Sequence, residues 1–458
     1  MECSARPSPA AWRQQGTLCI AEPVPTPHAT QYEVPEREPR PQEHREQERI
    51  QSKVALWDSG VREVAAPAQV MRPFDTSDQI YVMGLDLTGR YIAHTLAGCQ
   101  TIPPVRYIIH EQYLHRKWDE ANRRLTVYRA DKRIVRDRVI VEDTSELVDS
   151  SQDIIENLIV TVPAGQVVQA LENIQHRLNH RSTICLVNDG LGVAEALTEA
   201  YFHVEAKRPI FLLGHFSTAL GHTDQRFSVQ EVSPGRLYLS LFTKAREPDA
   251  RVRIKSHPPL ERTARATHFI RLLTAMPGLN ATGHPMTDFL RHKLPTIAFR
   301  SIVDPLATLF GCTYDQLPGN MYARQLIDQI IGELSHVVSR LPECRNSELS
   351  RQTAVVSMLR KEVLRKLMLQ KNADSRMRAN TGRGWNTDLD FLAGYFIRRG
   401  RELQANVPTL NSITLAVKAK QMIRKARLEQ LKAQGGGLPK GAPGGGGGGG
   451  QDQAGQKQ

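Results

Sequence analysis

The stretch Gln79–Tyr91, QIYVMGLDLTGRY, constrains this chain more than any other. A short strand-like run from Gln79 to Met83 meets Gly84 and Gly89, which stand where the first and third glycines of a G-x-G-x-x-G turn belong. A helix is expected to begin near Tyr91-Ile92-Ala93. Such a strand, glycine turn and helix open a dinucleotide-binding unit, yet Asp86 stands in the place of the middle glycine. That glycine lets the backbone approach a pyrophosphate, and a carboxylate there repels the phosphates it should admit. The two glycines therefore have two readings, a dinucleotide cradle or tight packing of strand on helix.

Downstream segments extend the pattern. VRYIIH reads as a second strand, LTVYRA and RVIVED as a hairpin, ENLIVTVP as a buried strand, AGQVVQALENIQHRL as an amphipathic helix, and STICLVND and RPIFLLGHFS as further strands. Strands alternating with helices imply a parallel, doubly wound sheet. After residue 256 the texture becomes helical, from RATHFIRLLTAM to NSITLAVKAKQMIRKARLEQLKAQ. The expected organisation is a disordered extension over residues 1–75, a Rossmann-like α/β domain over 76–255, an all-α domain over 256–432, and a Gly-rich disordered tail over 433–458. The extension is rich in Pro, Glu, Arg and Gln and poor in aliphatics, so it cannot offset the entropy of ordering. Its first residues contain Arg and Ser but also Glu2, a weak organelle transit signal; the compartments left open are mitochondrial and cytoplasmic.

Composition narrows the partners. Of 458 residues 40% are hydrophobic, enough for a sizeable core, and the formal net charge is +12, which favours an anionic partner. The six cysteines show no C-x-x-C spacing and no nearby His cluster, so neither zinc nor a disulfide framework is indicated. No apolar run approaches the roughly 18 residues that span a bilayer.

Gly84 and Gly89 with the following helix, PPVRYIIHEQYLHRKWDEA, ENLIVTVPAGQVVQAL, NDGLGV, DPLATLFGCTYDQLPGN, SML and TDLDFLAGYFIRRG occur in an order that resembles the ketopantoate reductase (2-dehydropantoate 2-reductase) family. The resemblance covers roughly residues 79 to 425. It implies a Rossmann domain followed by a helical domain of the 6-phosphogluconate-dehydrogenase C-terminal type, with an NADP(H) site and a 2-oxo acid site in the cleft.

Transferred position by position, the family's functional residues are mostly changed. Where the resemblance implies an Arg for the NADP 2′-phosphate, this chain has His110-Glu111, and a glutamate there suits the free ribose of NAD. The expected Lys of V-T-x-K-A is Pro163, and the expected Asn of Q-N-G-x-G is Asp189. The catalytic Lys, nine residues before the Pro of I-N-P-L-T-A-L, falls on Thr296, whose hydroxyl is not acidic enough for general-acid work near neutral pH. The two Asn of that helix fall on Arg300 and Asp304. Ser357 and Met358 of S-S-M-x-x-D are retained, with Lys361 for the Asp, and the active-site Glu becomes Asp388.

Several of these residues keep two readings. Lys293, three residues before Thr296, either replaces the missing lysine or is a solvated charge beside Arg291 and His292, with Pro295 expected to kink or start the helix. Ser357 either binds a substrate carboxylate or packs. Asp388 and Asp390 form an acidic pair or, with Asn386-Thr387, cap a helix. The basic stretches Arg365–Arg383 and Lys418–Lys432 contact phosphates or are solvated faces, and few aromatics interleave with them. These residues leave two functions open. One is a non-catalytic member similar to the mitochondrial translational activators of cytochrome b, with RNA or the mitochondrial ribosome as partner. The other is an NAD(P)H-dependent reductase of a 2-oxo acid, ketopantoate, in pantothenate biosynthesis.

Overall fold

A computed structural model describes residues 75–109, 112–130, 132–143, 153–242, 260–345, 347–348, 351–370 and 374–433. All belong to the unit Arg72–Gln458. The expected disordered extension, the Gly-rich tail after residue 433 and the His110-Glu111 position lie outside the described residues.

The first strand, β1 (Ile80–Met83), is buried at every residue. Ile80 and Val82 enter one core cluster while Tyr81 and Met83 enter another on the opposite face, as the two-residue period of a strand requires when both faces are covered. Helix α1 (Leu87–Ala97) then packs Ile92 and Leu96 into the first cluster. After it come β2 (Val105–Ile109), α2 (Gln112–Glu120), β3 (Leu125–Arg129), β4 (Lys132–Arg136), β5 (Val139–Asp143) and β6 (Asn157–Val160). They are followed by α3 (Val167–Leu171), β7 (Thr183–Val187), α4 (Val193–Ala200), β8 (Ile210–Phe216), β9 (Ala219–Gly221), β10 (Ser228–Ser233) and β11 (Leu237–Leu241).

The main sheet runs β12-β11-β8-β7-β6-β1-β2-β5, where β12 is Thr282–Gly283. The strands from β8 through β5 are parallel, and β11 is antiparallel to β8. Strand order reverses between β1 and β6, the switch point at which open α/β sheets form their crevice. A second sheet, β4-β3-β10-β9, packs against α1.

Two expectations on this domain are corrected. LTVYRA and RVIVED do not form a hairpin: β3 pairs antiparallel with the intervening β4, and β5 joins β2 in the main sheet. The cation-rich KRIVR suits a half-exposed strand, while Val139 and Val141 are drawn to the larger core. AGQVVQALENIQHRL makes only five α-helical residues between two 3-10 turns. It still buries Val167, Leu171 and Ile174 on one stripe, and the buried Arg177 ends it by donating to the Asp153 carbonyl.

Helix α5 (Leu260–Thr274) buries Phe269 and Leu273 in the core of the sheet. Helix α6 (Met286–Phe310) is buried along most of its length and is the axis of the helical region, as a helix apolar on nearly all sides must be. It is continuous through Pro295 and Pro305, so the helix does not start at Pro295. Around it lie α7 (Gln316–Gly319), α8 (Met321–Arg340), α9 (Gln352–Leu369), α10 (Arg376–Arg383), α11 (Ala393–Glu402) and α12 (Pro408–Ala433). No helix among the described residues is long and apolar enough to cross a membrane.

The glycine turn is explained by packing. A Cβ on Gly89 would lie 2.0 Å from the Gly84 carbonyl oxygen and 2.5 Å from Thr161 Oγ1. Alanine gains about 1 kcal/mol of helix propensity, but forcing backbone apart in a filled core costs about 1–3 kcal/mol. Gly89→Ala is therefore expected to lower the urea unfolding midpoint despite its better propensity, read by circular dichroism.

Candidate functional site

The crevice at the switch point begins with Asp86. Helix α1 starts at Leu87, four residues earlier than expected, because Asp86 caps it: its Oδ1 accepts from the Gly89 N–H at 3.0 Å and from the Thr161 hydroxyl at 2.6 Å. Burial pushes the Asp86 carboxyl up, while those hydrogen bonds and the charges of Arg376 and Arg90 oppose the rise. Gly84, at φ +128°, has its carbonyl held by the buried Tyr107 hydroxyl at 2.6 Å. The positive end of α1 already holds a carboxylate from its own chain.

Farther into the crevice, α6 presents Thr296, Arg300 and Asp304 four residues apart, one above another on a single face. The Arg300 guanidinium meets three carboxylates: Asp304 at 3.0 Å, Asp189 at 3.0 Å and Asp388 at 3.5 Å. Asp304 is 1% exposed and accepts a further bond from the Tyr314 hydroxyl. Asp189 is 49% exposed, and the charges of Arg300 and Lys293 hold its carboxyl below the usual range.

Asp388 also accepts from the Gly165 N–H at 3.0 Å. It stands at the N-cap of the helical turn that follows, with Asp390 in the first turn, but its side chain makes no capping bond, and Asp390 pairs with Lys418 at 2.6 Å. The segment 387–391 lies directly on the loops that follow β6 and β7. A Cβ on Gly165 would lie 2.4 Å from the Thr387 carbonyl oxygen, one on Gly190 would lie 2.9 Å from Phe391 Cβ, and the Leu191 N–H bonds to the Phe391 carbonyl. Pro163 opens the 3-10 turn beneath this contact, where the resemblance places a lysine.

Thr296 has an unanticipated partner. Lys366 on α9 donates from Nζ to the Thr296 hydroxyl at 2.9 Å, with Glu362 at 3.5 Å; burial pulls its ammonium below the ordinary lysine value. Sequence reasoning passed over Lys366 because it stands in a basic run. Its phase gives it away, since it flanks the buried stripe Val355, Leu359, Val363 and Leu367. Ser357 lies nine residues earlier, half a helical revolution away. It is exposed, bonds the Ala354 carbonyl, and lines an outer groove with Gln352, Arg360 and Lys361. The structure does not bring Ser357 into the crevice.

Lys293 is not a solvated charge. It is 1% exposed and donates to the carbonyls of Asn188 at 2.8 Å and Gly214 at 2.9 Å, tying α6 to the ends of β7 and β8. Burial lowers its ammonium to about 8. Both bonds go to main-chain carbonyls rather than toward Thr296. No group of three or more metal-ligating side chains occurs among the described residues.

A parallel sheet of this order with a helical domain closing its crevice is the architecture of nicotinamide-dependent oxidoreductases. The description "Ketopantoate reductase PanE/ApbA" matches residues 80–244, and "Ketopantoate reductase PanE/ApbA C terminal" matches residues 288–421. The chain belongs to the ketopantoate reductase family. A probable 2-dehydropantoate 2-reductase of Schizosaccharomyces pombe is 21% identical over 356 residues, 77% of this chain and 99% of that protein. The PanE/ApbA family ketopantoate reductase of Ralstonia eutropha JMP134 superposes with TM-score 0.55 at 14% identity, over 76% of this chain and 99% of the other. A ternary D-mandelate dehydrogenase structure with NADH and anilino(oxo)acetate does so with TM-score 0.54 at 15% identity, over the same shares.

Two outcomes are expected. Arg300→Gln strands carboxylates around a partly buried centre and should cost about 3–5 kcal/mol, measured by urea denaturation at pH 7. For Lys293, the unfolded value near 10.4 exceeds the folded value of about 8. Between them the unfolded chain binds more protons, so stability should rise as pH increases from about 8 toward 10. Lys293→Met should flatten that rise in unfolding curves taken across the window.

Proposed function

We propose that this chain is a non-reductive member of its family, a binding protein whose former catalytic crevice is closed by its own ion pairs. The observation that carries the reading is Asp388, bonded at once to the Gly165 N–H and to Arg300. One side chain joins the helical region to the loop after β6, where a nicotinamide and a 2-oxo acid would have to meet.

The cofactor that the family implies is a nicotinamide dinucleotide, and the residues present do not fit it. Asp86 holds the Gly89 N–H in the first turn of α1, where a pyrophosphate would bind, and like charges repel strongly in a crevice of low dielectric. Nor does the substrate's expected polar frame survive: Arg300 is occupied by three aspartates, and Thr296 supplies no acidic proton. No reduction step is derived for this chain. The proposed role is exercised at the surface toward an anionic partner. RNA in mitochondrial gene expression is the form of that role consistent with the +12 net charge.

A second reading has one observation in its favour. The Lys366 ammonium reaches Thr296 from another helix and would supply a cationic donor there, in an NADH-dependent reductase of a 2-oxo acid. Calorimetric titration with NADPH and NADH, with a ketopantoate reduction assay, separates the two. Neither nucleotide should bind with a micromolar or tighter Kd, turnover should be at background, and Thr296→Lys should not restore it. Turnover that is abolished by Lys366→Met would establish the second reading and sink the first.

A further inference from the structure

Beyond the crevice, tertiary contacts bring together groups that lie far apart in sequence. Helix α10 ends at Gly384, whose φ of +72° turns the chain back so that the Trp385 N–H bonds the Asn380 carbonyl at 2.9 Å. The indole is left 55% exposed. The Arg383 guanidinium lies over its ring, 5.0 Å from the centroid.

Helix α12 runs alongside this turn. Gln421 donates to the Trp385 carbonyl at 3.0 Å, and Arg424 donates to the Gly382 carbonyl at 2.9 Å. Arg424 is thus docked on α10, not free in solvent as its place in a basic run implies. A Cβ on Gly384 would lie 3.8 Å from the Lys425 Cα. Cations of two helices thus flank this turn: Arg383 lies over the indole, Arg424 is held by the Gly382 carbonyl, and the Lys425 backbone passes close to Gly384. Arg383 and Lys425 are exposed and have no carboxylate partner among the described residues. The aromatic that the basic stretches lack along the sequence is supplied by the turn between α10 and α11.

An exposed indole with Arg383 over its ring, at a turn that also carries an unopposed Lys425, fits a polyanion that itself carries flat π faces. An acidic peptide would satisfy the cations and leave the indole unmatched. Single-stranded nucleic acid satisfies both, because every base offers a face to stack and every linkage a phosphate. We propose that the junction of α10 and α12, centred on Trp385, binds single-stranded nucleic acid, with the indole stacked on a base and Arg383 and Lys425 on neighbouring phosphates. The inference rests on the binding role proposed above and names its partner.

The test is fluorescence anisotropy of the full chain with a labelled single-stranded RNA of about twelve nucleotides, repeated at several salt concentrations. Trp385→Ala should weaken binding about tenfold with little change in salt slope, and Trp385→Phe should recover most of the loss, since a ring still stacks. The double variant Arg383→Gln/Lys425→Gln should reduce the slope by about 1.4, roughly 0.7 for each phosphate contact on a single strand. Wild-type affinity in Trp385→Ala would overturn the proposal. So would equally tight binding of poly-glutamate or of phosphatidylserine vesicles, which would mark a generic basic face. Ketopantoate turnover by the same preparations would overturn the non-reductive reading while leaving the RNA result to stand by itself.

Discussion

The arrangement of the crevice depends on one guanidinium. Arg300 projects from the middle of α6 and gathers Asp304 from its own helix, Asp189 from the loop after β7 and Asp388 from the segment before α11. Three carboxylates this close together would repel one another, and any one of them buried without a cation would carry a large desolvation cost. With Arg300 between them the same groups become a clamp. Because Asp388 also takes the Gly165 N–H, the clamp reaches the loop after β6. The crevice is thereby joined across by side chains of the protein.

Asp86 works at the other end of the crevice by related physics. The first turn of a helix has N–H groups without intrahelical partners and a positive dipole end, which is why such turns bind phosphates. A side-chain carboxylate one residue before the helix satisfies one of the same donors. Once Asp86 bonds Gly89 and Thr161, the helix is capped from within, and the glycines on either side are explained by how closely Gly84, Gly89 and Thr161 approach. The close approach alone requires these glycines, and the carboxylate takes one N–H of the first helical turn.

Two lysines, Lys293 buried and Lys366 partly buried, approach α6 or leave it in different ways. Lys293 anchors α6 to the carboxyl ends of β7 and β8 through the Asn188 and Gly214 carbonyls. Lys366 approaches Thr296 from α9 and is steadied by Glu362. Burial lowers both below the ordinary lysine value. Arg383 and Lys425, by contrast, are exposed at the surface where α10 and α12 meet.

The sequence by itself determined the layer architecture. Strand lengths, the strand-to-helix alternation and the apolar stripes depend on periodicity, which is a local property, so β1, α1, β6, β7 and the helical second half were all legible. The crevice residues Thr296, Arg300 and Asp304 were reached through the resemblance to the ketopantoate reductase family, and the structure sets them on one face of α6. What the sequence left open was decided by contacts between distant segments. Whether β3 pairs with β4 or with β5 depends on which strand the larger core recruits. Continuity of α6 through Pro295 depends on helices packed around it, which outweigh a local backbone preference. Lys293 could not be told from a solvated charge, since the carbonyls that hold it come from about 80 and 105 residues away. Lys366 and Ser357 stand on one helix, yet only the packing of α9 against α6 decides that the lysine enters the crevice and the serine faces outward. Side-chain chemistry is written in the chain, but its partners are chosen by the tertiary structure, because charge and hydrogen bonding act through space.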